Sequence, residues 1–219
     1  MQSIRSTVGL CLVFITIVLV MFVLSKFKTP ELSPDEMRAQ GVFILPTPRD
    51  IGPFELIDHT GAEFNRQSLE GHWSFIFFGF TNCPDVCPTS LSVLGQVENQ
   101  LKRQDPELAQ NFKVRLVSVD PDADTLERLG QYVGAFSPNF LGVRGVREDL
   151  VRFTDQVNVA FAKVPLRSPV AGSDEQSYTV DHTGNIVIIN PRGHYHGFIK
   201  LPHNSETIRL SYQTLEAQF

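Results

Sequence analysis

From residue 6 to residue 25 the chain reads STVGLCLVFITIVLVMFVLS without a charged side chain, and beyond it apolar and polar positions alternate in short periods. Twenty helical residues rise about 30 Å, the thickness of a bilayer's hydrocarbon core. The run therefore predicts a membrane span, with residues 1–25 as an anchor. A cleaved signal peptide would have a shorter apolar run ending in a small-x-small site, whereas this one ends in MFVLSKFK. Nothing in the run is polar enough to give a buried soluble helix its solvent face. The flanking charges do not fix an orientation, because Arg5 on one side faces Lys26 and Lys28 on the other.

Residues 26–50 mix Lys, Pro, Glu and Asp with little periodicity, which predicts a tether holding at most a short helix in SPDEMRAQG. A compact domain is expected over 51–219. FELIDHTGAEF alternates around the turn residues Asp58 to Gly61 like a hairpin. SFIFFGF, residues 74–80, is a continuous apolar run and predicts a strand buried on both faces. After Pro88, Leu91, Leu94, Val97 and Leu101 recur at helical spacing, with Pro88 expected at the first helical position. KVRLVSVD predicts a second strand. The helix after it carries Leu126, Leu129, Val133 and Phe136 on one face, capped by Asp124 or Thr125.

A short strand in FLGV and a helix with Leu150, Phe153 and Val157 come next, then a loop over about 163–177. NIVIIN and HYHGFIK flank NPRG, whose Pro191 and Gly193 suit a type I turn, so they predict a hairpin. A last helix runs from Ser205 to about Ala217 with Ile208, Tyr212 and Leu215 inward. Strand–helix–strand–helix, an insertion, an antiparallel hairpin and a last helix is the order of the thioredoxin fold, and the crossover forces a parallel pair. The expected class is α/β: a thioredoxin-like fold with an N-terminal hairpin and a central insertion, preceded by one transmembrane helix.

Composition sharpens this reading. With 42% apolar and 10% aromatic residues, 219 residues suffice for a real core. Arg5 is the only charged side chain among the first 25 residues, so the remainder carries 18 Lys and Arg against 24 Asp and Glu, a net charge of −6. No basic patch or run stands out, which argues against nucleic acid as a partner. Of the three cysteines Cys11 lies in the apolar run, leaving Cys83 and Cys87 in FTNCPDVCPTSL. One adjacent pair is no disulfide framework for a small domain.

That pair sits at the strand-to-helix junction, where a thiol at a helix N-terminus loses its proton more easily; Cys83 is expected there. Cys-x-x-x-Cys places the sulfurs about one helical turn apart, close enough for a disulfide or for one shared soft metal ion. A structural staple over so short a gap would remove little chain entropy. Zinc suits the chain poorly, because a structural site wants four ligands and there is no second cysteine pair. Cu(I) accepts two thiolates, and one imidazole would extend the set to Cu(II).

Six histidines compete for that role. His59 and His72 fall in or near turns and are expected on the surface, and His203 follows Pro202 before the last helix. His194 and His196 share a strand face and form a weak His-x-His candidate. His182, in YTVDHTGNI, precedes the C-terminal hairpin at the sheet edge that the fold brings against the cysteine loop. Asp85, Asp120 and Asp181 read as helix-start, turn and loop hydrogen-bonders.

FGFTNCPDVCPTSL, SVDPDADT and YTVDHTGNIVIINPRG together resemble the three motif regions of the Sco/SenC family of membrane-anchored copper proteins, over roughly residues 45–215. The resemblance implies that Cys83, Cys87 and His182 are metal ligands for Cu(I) and Cu(II). It further implies delivery of copper to the binuclear copper-A centre of cytochrome c oxidase, or reduction of that centre's cysteines. The partners implied are the copper-A-bearing subunit and an upstream copper donor or thiol reductant. The implied location is a bacterial inner membrane, single-pass, with the domain in the periplasm. Where the family usually has Arg and Pro, this chain has Ala123 and Leu126. A metallochaperone is the first reading and a thiol–disulfide oxidoreductase, needing the cysteines but not His182, is the alternative.

Overall fold

The computed structural model describes residues 2–26, 31–165 and 178–219. Helix α1 spans Gln2–Lys26, and its described apolar side chains are exposed. Its side chains are described without a break only from Ser6 to Phe22. Among the described residues, no helix is long and apolar enough to cross a membrane.

Residues assigned above to a tether are partly built into the domain. Ser33 caps α2 (Pro34–Ala39) in a reciprocal capping box with Glu36, and Met37 of that helix is buried. The Leu32 N–H donates to Thr214 Oγ1 at 2.9 Å. Strand β1 (Val42–Arg49) pairs antiparallel with β10 (Tyr195–Ile199). Pro46 and Pro48 hid this strand in the sequence. Proline is tolerated there because β1 lies at the edge of the sheet, where one side of the backbone has no ladder to complete.

The expected N-terminal hairpin is β2 (Glu55–Asp58) against β3 (Glu63–Asn65). Asp58 Oδ1 accepts from the N–H groups of Thr60 and Ala62, and Gly61 takes φ +91°, so the turn residues act as their chemistry predicts. Strand β4 (Trp73–Gly79) pairs in parallel with β5 (Phe112–Ser118), which pairs in parallel with β6 (Leu141–Arg144). On its other side β4 pairs antiparallel with β9 (Ile186–Ile189), the partner of β10 in the hairpin whose Gly193 has φ +74°. The eight strands run β1-β10-β9-β4-β5-β6-β2-β3, and the β10-β9-β4-β5 segment is the thioredoxin order expected.

Every residue of β4 is buried, and its side chains alternate between two cores. Trp73, Phe75 and Phe77 meet α3 (Val86–Gln104), α5 (Leu126–Gly134) and α7 (Ser205–Gln218) on one face. Ile76 and Phe78 meet α6 (Arg147–Gln156) and the β2–β3 hairpin on the other. Helix α3 begins two residues before Pro88, which is its third residue; a proline is still tolerated there because the first four N–H groups have no intrahelical partner. The short helix α4 (Pro106–Asn111) returns the chain to β5. Thr125 caps α5, while Asp124 is turned to another task.

Part of the expected loop 163–177 is ordered as strand. β7 (Phe161–Pro165) and β8 (Tyr178–His182) form a separate two-stranded ribbon, and residues 166–177 lie outside those described. His182 thus ends a ribbon strand rather than preceding the hairpin in a loop.

The expectation that His59 and His72 are solvated does not hold. His59 Nδ1 accepts the Gly142 N–H at 3.1 Å, latching the N-terminal hairpin to β6. Burial, helped by Arg115 and Lys113, pushes His72 down to about 4. Burial does the same to His196 and His203, each also about 4. In the unfolded chain these imidazoles take up protons below about 6.5, before they do so in the fold. The stability these imidazoles contribute is therefore complete above pH 7 and is lost as pH drops from about 6.5 towards 4. The loss is on the order of 1–3 kcal/mol per imidazole, allowing for partial solvent access. Urea titrations across that range check this, and an unfolding midpoint constant from pH 7 to 5 would refute it.

The end of β4 generates a second expectation. A Cβ on Gly79 would stand 2.8 Å from Cys87 Sγ, 3.1 Å from Phe77 Cε1 and 3.3 Å from Leu116 Cδ1. Gly79→Ala should cost about 1–3 kcal/mol through overpacking, read as a lower denaturation midpoint in the reduced protein. A midpoint equal to wild type would show that the strand–helix junction yields.

Candidate metal centre

The chain leaves β4 at Gly79, turns through residues 80–85 and enters α3 at Val86. The Cys83 N–H donates to the Phe80 carbonyl at 3.2 Å, and Cys83 is half-buried at the mouth of this turn. Cys87 is the second residue of α3 and fully buried. Asp85 occupies the N-cap position but makes no side-chain capping bond; its carbonyl accepts from the Thr89 N–H at 3.3 Å.

The loop is tied down from the neighbouring strand. Asp124, buried beyond β5, accepts from the Thr81 hydroxyl at 2.5 Å, from the Thr81 N–H and from Ser118 Oγ at 2.7 Å. A guanidinium nitrogen of Arg128 donates to Asn82 Oδ1. In the sequence Asp124 is legible only as a cap for α5, an alternative to Thr125. Its aspartate-rich surroundings are a turn signal, and nothing local says that its carboxylate crosses to the cysteine loop.

His182 comes from β8. Its Nε2 lies 3.9 Å from Cys87 Sγ, and its ring stands edge-on to Phe77 and Phe80 with centroids 5.9 and 6.0 Å away. Nδ1 is 3.2 Å from the Thr183 carbonyl oxygen, which can only accept, so Nδ1 carries the hydrogen and Nε2 presents its lone pair to the sulfur. Burial lowers the His182 pKa, only partly opposed by the Thr183 carbonyl and by Asp181. The ring is held in the neutral, ligating form.

Cys83, Cys87 and His182 bring one ligand atom each to within 4.8 Å of one another. No other group of three or more Cys, His, Asp or Glu side chains is so placed among the described residues. Burial, together with the adjacent Cys83, raises the Cys87 pKa, only partly opposed by a backbone hydrogen bond at Phe80. A cation entering here must displace the Cys87 proton, so its affinity rises with pH.

The other histidines go elsewhere. His194 Nε2 is 3.6 Å from Asp50, whereas the His196 ring lies edge-on to Trp73 at 5.0 Å and its Nδ1 accepts from Asn190 Nδ2 at 3.1 Å. They do not form a joint site. His203 Nδ1 sits 2.9 Å from Ser90 Oγ and its ring is edge-on to Phe77, the ring that also supports His182. The Cys83–His182 cleft measures about 220 Å³ and is rimmed by Phe80, Pro84, Val86, Val180 and Leu201. A larger groove of about 710 Å³, between the β2–β3 hairpin and the start of α6, is lined by mixed charges and contains no cysteine or histidine. Volume does not mark the chemistry here.

Known proteins similar to this chain fall in one family. A family model described as SCO1/SenC matches residues 45–215. A Stutzerimonas stutzeri protein is 35% identical over 176 residues, covering 79% of this chain and 81% of that one. The human mitochondrial SCO1 homolog is 36% identical over 172 residues, covering 78% of this chain and 52% of the human protein. Among solved structures, Bradyrhizobium japonicum ScoI with copper bound superposes with a TM-score of 0.64 at 30% identity, covering 75% of this chain and 98% of that one. The extent of the family match, and the coverage of the Stutzerimonas relative, establish that this chain belongs to the SCO1/SenC family.

Proposed function

We propose that this protein carries copper to the copper-A centre of cytochrome c oxidase, with Cys83, Cys87 and His182 as the ligands of the cargo ion. The observation that carries the proposal is the convergence of those three ligand atoms within 4.8 Å from three separate elements. The bound copper in the related B. japonicum structure names the metal. Two thiolates are soft donors that suit Cu(I), and the neutral imidazole adds the borderline donor that lets the same site hold Cu(II). The two sulfurs sit at different depths, Cys87 enclosed and Cys83 at the open cleft. A target's thiolate can therefore approach from the Cys83 side while Cys87 and His182 still hold the ion. An upstream copper donor would load the site by the same face.

A second reading rests on the nearness of the two thiols, whose sulfurs lie within 4.8 Å of each other. Acting as a reductant, the Cys83 thiolate would attack a disulfide of the copper-A site to form a mixed disulfide. The Cys87 thiolate would then attack Cys83 Sγ, releasing the target's second thiolate and closing Cys83–Cys87. Two electrons pass from the pair to the target, and an upstream thiol reductant must restore them. His182 has no part in that cycle.

The location follows from the same reading. The uncharged stretch Ser6–Ser25 is taken as a single-pass anchor in a bacterial inner membrane, with the N-terminus in the cytoplasm and the copper domain in the periplasm.

The two activities separate at His182. Cys83→Ser or Cys87→Ser should abolish tight Cu(I) binding, since a hydroxyl is a hard, poor donor for a soft ion. His182→Ala should weaken Cu(I) only partly, by about tenfold or less, and remove the Cu(II) site almost completely. Anaerobic copper titration followed by metal analysis after desalting measures both. In cells, a copper carrier should fail to support oxidase assembly with His182→Ala. Full assembly with that variant, beside none with Cys83→Ser, would transfer the assignment to the reductase.

For the anchor, the full-length protein is expected to pellet with membranes and to resist alkaline carbonate, and a C-terminal reporter should be active only in the periplasm. Release by carbonate, or a reporter active in the cytoplasm, would sink this part of the proposal.

A further inference from the structure

The loop that follows β5 holds both halves of the metal centre, one carboxylate to each. Asp124 ties down the cysteine loop through Thr81. Four residues earlier Asp120, only 2% exposed, reaches the opposite way to the β7–β8 ribbon. Lys163 Nζ of β7 lies 2.8 Å from Asp120 Oδ1 and 2.7 Å from Asp122 Oδ2. The Tyr178 hydroxyl of β8 donates to Asp120 Oδ2 at 2.8 Å, and the Lys163 ammonium stands 4.5 Å from the Tyr178 ring centroid. Asp120 is itself held, its N–H donating to Ser118 Oγ and its carbonyl accepting from the N–H groups of Ala123 and Asp124.

The ribbon needs such a hold. A two-stranded sheet is marginal by itself, and among the described residues this one has no third strand. Side chains two apart on a strand share a face, so Tyr178, Val180 and His182 lie on the face towards the domain, Tyr178 at its rim and 39% exposed, while Thr179 and Asp181 look out. Register places Lys163 opposite Val180 and Phe161 opposite His182 on that same face. Three attachments thus run along β8: Tyr178 on Asp120, Val180 in the core at 4% exposure, and His182 against Cys87. His182 rests on Phe77 and Phe80 without any metal, so the Asp120 cluster is the one polar anchor among the three and the one furthest from the cysteines.

We infer that Lys163, Tyr178 and Asp120 form a clamp that positions His182 over the cysteine pair, Lys163 and Tyr178 being positioning residues that never touch the metal. The inference rests on the copper reading of the centre. Cu(I) can be held by two thiolates, whereas Cu(II) needs the imidazole. Loosening the ribbon must therefore weaken the two oxidation states unequally, and the clamp sets how much better the centre holds Cu(II) than the cysteines would alone. A buried carboxylate that loses one cationic and one hydroxyl partner also has no substitute nearby, which makes the clamp sensitive to single changes.

The test uses the full-length protein in detergent with Lys163→Met, Tyr178→Phe and Lys163→Arg. In the copper-free protein, amide exchange at Asp181 and Thr183 should rise about tenfold in the first two variants and stay unchanged in β4 and β5, because opening is local. On metal titration, Cu(II) affinity should fall about tenfold and Cu(I) affinity less than about twofold. The Cu(II) electron paramagnetic resonance spectrum should broaden, and Lys163→Arg should restore all three readings. Exchange that rises equally in β4 and β5 would mean general destabilisation and overturn the clamp. Unchanged exchange in the ribbon, or an unchanged Cu(II) to Cu(I) ratio beside faster exchange, overturns the positioning role. If the wild-type protein takes up no copper, the copper reading falls instead, and the exchange measurement still decides whether Lys163 and Tyr178 hold the ribbon.

Discussion

Strand β4 can be satisfied in only one place. All seven of its residues are buried, and its side chains alternate between large groups that must meet packed surface on both faces. A strand of that kind costs too much at an edge or with one face wet, so it takes the centre of the sheet with helices and the N-terminal hairpin on either side. Its neighbours β5 and β9 then follow, one in parallel through α3 and one antiparallel through the C-terminal hairpin. Because β4 runs directly into residues 80–85, the same constraint delivers the cysteine loop to the C-terminal edge of the parallel strands, the region where open α/β sheets place their ligands. Gly79 completes the arrangement by leaving room for the Cys87 sulfur where any larger residue would press on it.

The centre built there is electrically quiet before anything binds. Burial keeps the Cys87 thiol protonated and the His182 ring neutral, by opposite pKa shifts with one cause. A desolvated site that carries little charge of its own avoids the cost of an unpaired buried ion. It gains negative charge only when a cation arrives to compensate the thiolates, so proton release and metal entry are coupled. Phe77 and Phe80 contribute by closing off water around the ring, and His203 also packs edge-on to Phe77.

Two carboxylates on one loop reconcile elements that the chain keeps far apart. Asp124 reaches the cysteine loop and Asp120 reaches the ribbon, and the hydrogen bonds from Ala123 and Asp124 to the Asp120 carbonyl keep their spacing constant. Each is buried and each has defined donors, so the pair acts as fixed acceptors. The expectation that Asp120 is a turn hydrogen-bonder is right about its backbone, and its side chain adds a long-range tie. That tie joins β5 to a ribbon some forty residues further on, a separation at which no sequence pattern signals a contact.

Much of the fold was legible because it rests on local periodicity. The two-faced burial of β4, the helical spacing of Leu91 to Leu101, the Asp58–Gly61 turn and the Asn190–Gly193 turn all follow from chemistry within a few residues. The resemblance to Sco/SenC proteins likewise lay in contiguous motifs, which is why Cys83, Cys87 and His182 could be named together before any coordinates. Other features depended on what lies across the sheet. Pro46 and Pro48 disguised β1, since an edge strand is recognised by its neighbour rather than by its own composition. His59 and His72 looked like surface turn residues until packing covered them. The sequence alone determined which groups were available and how the strands and helices would form. Only the tertiary structure decided which buried charge faces which partner, because burial and long-range hydrogen bonding are properties of the packed whole and leave no period in the chain.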